Sequence, residues 1–245
     1  MDVLIFFISL VAAFIFALGG VGAAIILIPI LVSLGIPIGT AKPIGLFYNT
    51  VSLSGATIYN FRRKTLDVKV GIPIIVSSFI FAATGAYISK FIPSKVILIL
   101  FVLFLLFSGF VFLFNKGRYE SQFRTDVPYL ILISIGAFAG LLSGLLGIGG
   151  GGIISPLMLM AGFNPKKIAV TTAFVVPFSS FSGFLTYWAI GNVDWEIVIV
   201  ASVGGIIGAG LGARFMHSKL HHSHVKKILA VILLLMAVKL ILKLL

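Results

Sequence analysis

The sequence contains no cysteine and few acidic residues. The absence of cysteine excludes disulfides, thiolate metal sites and cysteine nucleophiles. The acidic residues lie near the N-terminus or between hydrophobic runs, and they are Asp2, Asp67, Glu120, Asp126, Asp194 and Glu196. Because cation pumps need carboxylates within the membrane, this distribution argues against a cation pump.

Charge of either sign is scarce. Charged residues make up 10% of the 245 positions and hydrophobic residues 60%, and the mean hydropathy is +1.23. Soluble domains average about 25% charged residues, so a soluble protein is excluded. The composition predicts an all-α polytopic protein of the cell (cytoplasmic) membrane, with roughly eight membrane elements of about 20 residues each. No basic segment precedes the first hydrophobic run, so a removable signal peptide is not expected.

The net charge of +12 comes from Lys and Arg residues in short polar segments. Such residues collect in cytoplasmic loops, where they meet anionic lipid. No nucleic-acid recognition module accompanies them, so lipid rather than nucleic acid is the expected partner.

Hydrophobic runs divide the chain into eight elements. Their predicted bounds are 3–34 (broken at 19–22), 43–61, 70–89, 95–114, 128–161 (broken at 147–152), 168–190, 196–213 and 225–245. A polar linker at 115–127 separates an N-terminal repeat, 1–114, from a C-terminal repeat, 128–245.

The two halves resemble each other in sequence order. Pairs matched at an offset of 127 or 128 include Gly20 with Gly147, Gly22 with Gly149, Pro29 with Pro156, Ser52 with Ser180, Ser54 with Ser182 and Asp67 with Asp194. Asp67 and Asp194 precede predicted helices, so we expect them to cap those helices.

The positive charges favour an inverted arrangement of the repeats. If each broken element is a re-entrant hairpin, each half has three crossings, and 13 Lys and Arg residues lie on one side against five on the other. If each broken element crosses fully, the repeats are parallel and the two sides carry nine each. The positive-inside rule favours the first arrangement, with both termini outside.

The glycine-rich breaks are the first candidate site. Helices restarting at Gly22, Ala23 and Ala24, and at Gly149, Gly150, Gly151 and Gly152, would present unpaired N–H groups and a partial positive charge to an anion. The alternative is that the glycines only allow close helix packing.

Small polar side chains are the second candidate feature. The elements 43–61 and 168–190 carry Asn49, Ser52, Ser54, Thr171, Thr172, Ser180 and Ser182. Such groups could replace the hydration shell of an anion near the membrane mid-plane. Each hydroxyl could instead bond the carbonyl four residues earlier in its own helix.

Isolated basic and aromatic residues complete the candidates. Lys42, at the mouth of element 43–61, could hold an anion or extend to the membrane interface. Tyr59 and Tyr187 are expected to be interfacial anchors. Four histidines form a basic cytoplasmic loop or, alternatively, a metal or pH sensor, and they are His217, His221, His222 and His224.

The motif Gly147-Ile148-Gly149-Gly150-Gly151 leading to Pro156, followed by Thr171-Thr172, Ser182-Gly183, Tyr187 and Val193-Asp194-Trp195, resembles the signature of the sulfite exporter TauE/SafE family. The resemblance extends over nearly the whole chain, because the first half echoes the pattern. It implies a transporter of sulfur-containing anions such as sulfite or sulfonates, driven by an ion gradient.

These features predict a non-enzymatic secondary transporter of a small sulfur-containing anion, coupled to a proton or sodium ion, with no cofactor. A passive anion channel is the alternative. An intramembrane serine hydrolase is disfavoured, since all four histidines lie between 217 and 224, outside the predicted spans.

The inverted arrangement can be tested with single cysteines, because the chain has none of its own. We expect cysteines at Arg63 and Gly191 to react with an impermeant thiol reagent from opposite sides of the membrane. Reaction of both from the same side would contradict the inverted repeat.

Overall fold

The computed structural model describes residues 2–17, 21–114, 123–124, 126–191, 193–216 and 222–244. Gly19, Gly20, Glu120, His217 and His221 lie outside these ranges, and the structure does not describe the side chains of Tyr59, His222 and His224, so the predictions made for these residues stay predictions.

The described residues form ten α-helices and one 3-10 turn, and they contain no strand. The helices are α1 Asp2–Ala17, α2 Ala24–Ser33, α3 Ile38–Arg62, α4 Val68–Ile88, α5 Ser94–Phe114, α6 Tyr129–Leu146, α7 Gly151–Met160, α8 Pro165–Ile190, α9 Trp195–Met216 and α10 His222–Leu244, and the 3-10 turn is Ser89–Phe91. The predicted all-helical fold is confirmed.

Within the described ranges, five stretches are long and apolar enough to cross a membrane, and they are Val68–Phe91, Ser94–Phe114, Tyr129–Leu146, Pro165–Ile190 and Trp195–Gly212. By contrast, α2 and α7 have ten residues each. At 1.5 Å per residue, each is only about 15 Å long, roughly half the hydrocarbon thickness.

Helix α3 begins earlier than the hydrophobic run predicted. The N–H groups of Thr40 and Ala41 already donate to the carbonyl of Pro37, at 3.0 and 2.9 Å. Pro43 therefore lies inside the helix, where its missing N–H removes one hydrogen bond without ending the helix. As a result, Lys42 belongs to the second turn of α3 rather than to a loop.

Glycines lie at the closest helix contacts, and each of these contacts joins a helix of one half to a helix of the other half. Gly204, Gly208 and Gly212 of α9 face the carbonyls of Phe6, Leu10 and Phe14 of α1 in the same order, so the two helices run parallel. Small residues spaced four apart allow two membrane helices to approach this closely.

Helix α6 of the second half packs against α4 of the first half in the same way. Gly140 and Gly144 of α6 face the backbone of Ser78 and Ala82 of α4, again in the same order. Thus α1 of the first half packs against α9 of the second, and α6 of the second half packs against α4 of the first.

Helices α3 and α8 cross at the centre in opposite directions. The Thr57 hydroxyl donates to the carbonyl of Ala173, whereas Leu46, earlier in α3, lies beside Gly183, later in α8. Helix α8 runs parallel to α4, since Gly71 faces Phe174 and the Ser182 hydroxyl donates to the Phe79 carbonyl.

Three loops meet at one end of the bundle. Lys167 and Asp67 form an ion pair of 2.7 Å, and the Arg124 N–H donates to the Gly162 carbonyl at 2.9 Å. The Lys167 ammonium holds the pKa of the Asp67 carboxyl below its ordinary value. Asp67 also accepts the Val70 N–H, and the matched Asp194 accepts the Ile197 N–H, which confirms both predicted caps.

The α1–α9 contact predicts unequal effects of two substitutions on the same helix. A Cβ at Gly208 would overlap the Leu10 carbonyl, whereas a Cβ at Gly210 would meet nothing within 4 Å. Gly208→Ala should lower the free energy of unfolding by about 1–3 kcal/mol, and Gly210→Ala should leave it unchanged or raise it by up to about 1 kcal/mol. Thermal unfolding in detergent measures both, and equal effects would contradict the packing.

Candidate functional site

The first break lies between α1 and α2 and is held by one side chain of α3. Gly22 has a φ of +82°, in the left-handed region that favours glycine. The Ala24 N–H, at the start of α2, donates to Oδ1 of Asn49 at 3.1 Å. Asn49 thus satisfies one of the N–H groups that a helix start leaves without an intrahelical partner.

The second break lies between α6 and α7 and has three glycines with positive φ. Gly147, Gly149 and Gly150 have φ of +82°, +76° and +68°. Helix α7 starts after Gly150, whose carbonyl accepts from the N–H groups of Ile153 and Ile154 at 2.9 and 2.8 Å. A side chain at these glycines would strain the backbone.

Asn49 joins the two breaks. While its Oδ1 accepts from Ala24, its Nδ2 donates to the carbonyl of Ile148 in the second break at 2.8 Å. The side chain is fully buried. The breaks also touch directly, because Gly151 lies against the carbonyl of Val21. The two glycine-rich segments therefore form one polar centre inside an apolar bundle.

Two hydroxyls at this centre have no hydrogen-bond partner. Ser143 of α6 and Ser180 of α8 are fully buried, and neither Oγ is paired within the described residues. A Cβ built on Gly149 would lie 2.5 Å from Ser180 Oγ, and one built on Gly150 would lie 3.7 Å from Ser143 Cβ. Both serines thus border the start of α7.

The other glycines of the second break serve packing. A Cβ on Gly151 would overlap the Val21 carbonyl, and one on Gly152 would lie 2.8 Å from Cδ1 of Ile25. The Ser108 hydroxyl of α5 donates to the Gly152 carbonyl at 3.0 Å. The packing interpretation of the glycine run thus applies to Gly151 and Gly152.

Several predicted site hydroxyls are bonded elsewhere. Ser54 donates to the Thr50 carbonyl at 2.6 Å, and Thr172 to the Ile168 carbonyl at 2.8 Å, each within its own helix. Ser182 donates to the Phe79 carbonyl at 2.5 Å. Ser52 lies beside Gly205 of α9, and Thr171 is buried with an unpaired hydroxyl. Of the predicted serines, Ser180 is the one with an unpaired hydroxyl beside a break.

Lys42 is buried rather than extended to the interface, which corrects one of the two expectations for it. Its side chain is 3% exposed, and Nζ donates to Oγ of Ser89 at 3.0 Å. Nζ also lies 5.1 Å from the ring centroid of Tyr187. The interfacial role predicted for Tyr187 is wrong, because its hydroxyl is buried and donates to the Gly144 carbonyl at 2.9 Å.

Lys42 adjoins the second break. A Cβ on Gly147 would lie 2.7 Å from the Lys42 Cα. The repeat comparison missed Ser143 and Ser89, whose matched positions are Phe16 and Met216. A serine one turn before a glycine run was the available sequence signal for Ser143.

Comparison with known proteins finds similarity to one protein family over nearly the whole chain. The family profile described as "Sulfite exporter TauE/SafE" matches residues 5–240. The chain is 28% identical over 269 aligned positions to the probable membrane transporter protein YunE of Bacillus subtilis, covering 98% of this chain and 97% of the relative. It is 31% identical over 218 positions to YdhB of the same organism, a probable membrane transporter, covering 86% of each. A stretch of 105 positions is 38% identical to sulfite exporter TauE/SafE family protein 6 of Arabidopsis thaliana, covering 43% of this chain and 24% of the relative.

The bridge through Asn49 predicts a large loss of stability when it is removed. Asn49→Leu leaves the Ala24 N–H and the Ile148 carbonyl buried without a partner, at about 1–3 kcal/mol each. Thr50→Val is the matched control, since Thr50 bonds only the Leu46 carbonyl of its own helix, and we expect a cost below about 1 kcal/mol. Chemical unfolding in detergent compares the two, and a similar loss in both would contradict a bridging role for Asn49.

Proposed function

The chain belongs to the sulfite exporter TauE/SafE family, and from that premise we propose that it carries a small sulfur-containing oxyanion across the membrane through a site at the second break. The observation that carries this proposal is the pair of buried, unpaired hydroxyls of Ser143 and Ser180 beside the start of α7.

The start of α7 suits an anion. The first N–H groups of a helix lack intrahelical acceptors, and the helix dipole adds a partial positive charge. The Gly151 and Ile153 amides donate to the carbonyls of Gly149 and Gly150, but no described group accepts from the amides of Gly150 and Gly152. Asn49, in contrast, already accepts from the Ala24 amide at the corresponding end of α2. The second break is therefore the available end, and the first break is its structural support.

The side chains around this end select for negative charge. Ser143 and Ser180 can each donate one hydrogen bond, and the cationic Lys42 packs against Gly147 of the same break. An anion that sheds its water in an apolar bundle needs such donors. The family description names sulfite, which is pyramidal, and a sulfonate group is tetrahedral. The oxygens of either anion can accept hydrogen bonds from several donors at once.

Burial favours a carrier over a channel. Asn49, Ser143 and Ser180 are all fully buried, as expected of an occluded site that opens alternately to each side. A passive channel would need a continuous hydrated path past these residues. An intramembrane serine hydrolase gains no support, since the Ser182 proton is donated to the Phe79 carbonyl.

We further propose that the halves form an inverted repeat in the cell membrane, with both termini outside. The antiparallel crossing of the matched helices α3 and α8 supports this. So do the contacts of Lys167 with Asp67 and of Arg124 with Gly162. The inverted arrangement places the loops before α4, α6 and α8 on the cytoplasmic side. If each broken element crossed the membrane fully, Lys167 and Arg124 would lie on the opposite side of the membrane from Asp67 and Gly162, respectively.

In this arrangement α2 and α7 are the returning arms of two hairpins. Each spans about half the membrane. Discontinuous helices of this kind supply substrate sites at the repeat interface of many secondary transporters.

The proposed site predicts which serines matter. Ser143→Ala and Ser180→Ala should each weaken sulfite binding by about 10- to 100-fold, the effect of losing one hydrogen bond to a charged group. Ser54→Ala is the matched control, because Ser54 bonds its own helix, and its affinity should be unchanged. Calorimetry on the purified protein measures all three. Unchanged affinity in Ser143→Ala and Ser180→Ala, with a loss in Ser54→Ala, would move the site away from the second break.

A further inference from the structure

Lys42 is a buried cationic side chain that lacks a counter-charge. The described groups around its ammonium are the Ser89 hydroxyl of the 3-10 turn and the ring of Tyr187 on α8, while Gly147 of the break packs against its backbone. Tyr187 is the only titratable group among them. No carboxylate pairs with Lys42 within the described residues, where both ion pairs involve other side chains.

The neighbouring Lys90 is different. It is exposed, and its Nζ lies 4.0 Å from the ring centroid of Tyr87. Lys90 therefore remains in contact with water or lipid headgroups, whereas Lys42 does not.

The hydroxyls beside Lys42 form a hydrogen-bonded chain. The Lys42 ammonium can only donate, so Ser89 Oγ accepts from Nζ at 3.0 Å. Ser89 Oγ lies 2.6 Å from the Tyr187 hydroxyl and 2.9 Å from the Ala86 carbonyl, and its single proton can be donated to either. The Tyr187 hydroxyl in turn donates to the Gly144 carbonyl at 2.9 Å. The chain occupies one N–H of Lys42, and no described group accepts a hydrogen bond from the other two.

A neutral chain of this kind cannot replace a counter-charge. An ammonium buried without an anion carries a large desolvation penalty, which one hydroxyl and one aromatic face offset only in part. A bound oxyanion would remove that penalty. Protonation of Lys42 and binding of an anion should then favour each other, and by thermodynamic linkage each increases the affinity for the other by the same factor.

We propose that Lys42 carries the coupling proton of the transport cycle, which rests on the function proposed above. The Lys42 amine takes a proton from water on the side where the anion enters, and the ammonium and the anion form an ion pair. When the anion leaves on the other side, the ammonium loses its counter-charge and returns the proton to water there. One proton thus moves with each anion in the same direction.

The position of Lys42 connects this proton to the anion site. Gly147, which packs against Lys42, starts the break that continues through Ile148, held by Asn49, to Gly149 beside Ser180. The acceptor at the end of the hydroxyl chain, Gly144, directly follows Ser143. A change of charge at Lys42 therefore acts on the segment that forms the anion site.

The test counts the protons that the protein takes up when it binds an anion that carries no exchangeable proton. Methanesulfonate is fully ionised near neutral pH, so calorimetric titrations in buffers of different ionisation enthalpy count the protons that the purified full-length protein takes up. We expect up to about one proton per methanesulfonate, and an affinity that rises about 5- to 150-fold as the pH is lowered from about 10 to 6.

Two variants of Lys42 and one control complete the experiment. Lys42→Arg keeps a permanent charge, so it should bind methanesulfonate with no proton uptake and no pH dependence. Lys42→Gln should bind weakly and also without proton uptake. Lys90→Gln removes an exposed charge nearby and should behave as the unmodified protein does. In proteoliposomes, an imposed proton gradient should drive sulfite accumulation by the unmodified protein and Lys90→Gln only.

Each outcome separates the inference from the function on which it rests. Binding of methanesulfonate by the unmodified protein without proton uptake would overturn the role of Lys42 and leave the anion site intact. Proton uptake that persists in folded Lys42→Gln would do the same, and this variant alone suffices if Lys42→Arg does not fold. Failure of the unmodified protein to bind either methanesulfonate or sulfite would overturn the proposed function and the inference together.

Discussion

The polar centre depends on the two hydrogen bonds of Asn49. Ending two helices inside an apolar bundle frees backbone groups that lipid cannot satisfy, and such groups persist only where protein or enclosed water provides partners. One amide satisfies a donor at the first break, Ala24, and an acceptor at the second, Ile148. An amide suits this position because it donates and accepts on one short side chain. The pairing holds the start of α7 in place next to Ser180.

The two halves have the same helix order but different polar residues. Each has a short helix after a glycine-rich break, and an Asp caps the fourth helix of each half. Asn49 of α3 has Pro177 at its matched position in α8, and the unpaired Ser143 and Ser180 border the second break. This asymmetry gives the two breaks different roles: the first is closed by protein, and the second leaves donors available. A site of this kind can accept an anion without a carboxylate or a metal among its described neighbours.

Composition and hydrophobic runs were enough to predict an all-helical membrane protein, and Gly147, Gly149 and Gly150 lie between α6 and α7. The caps at Asp67 and Asp194 followed from local sequence. Lys42 could not be placed, because its burial depends on contacts with Ser89 and Tyr187, which are distant from it in sequence. The serines look alike in sequence, and only the helix crossing separates Ser180, beside Gly149, from Ser182, bonded to Phe79.

The central claim is that the start of α7, with Ser143 and Ser180, binds the oxyanion. Crystals grown with selenite, the selenium counterpart of sulfite, would locate the ion by its anomalous scattering. The account predicts an anomalous peak within hydrogen-bond distance of Ser180 Oγ and the Gly150 amide, and loss of that peak in Ser180→Ala. A well-ordered structure of the unmodified protein with selenite only at basic loops, and none at the second break, would contradict it.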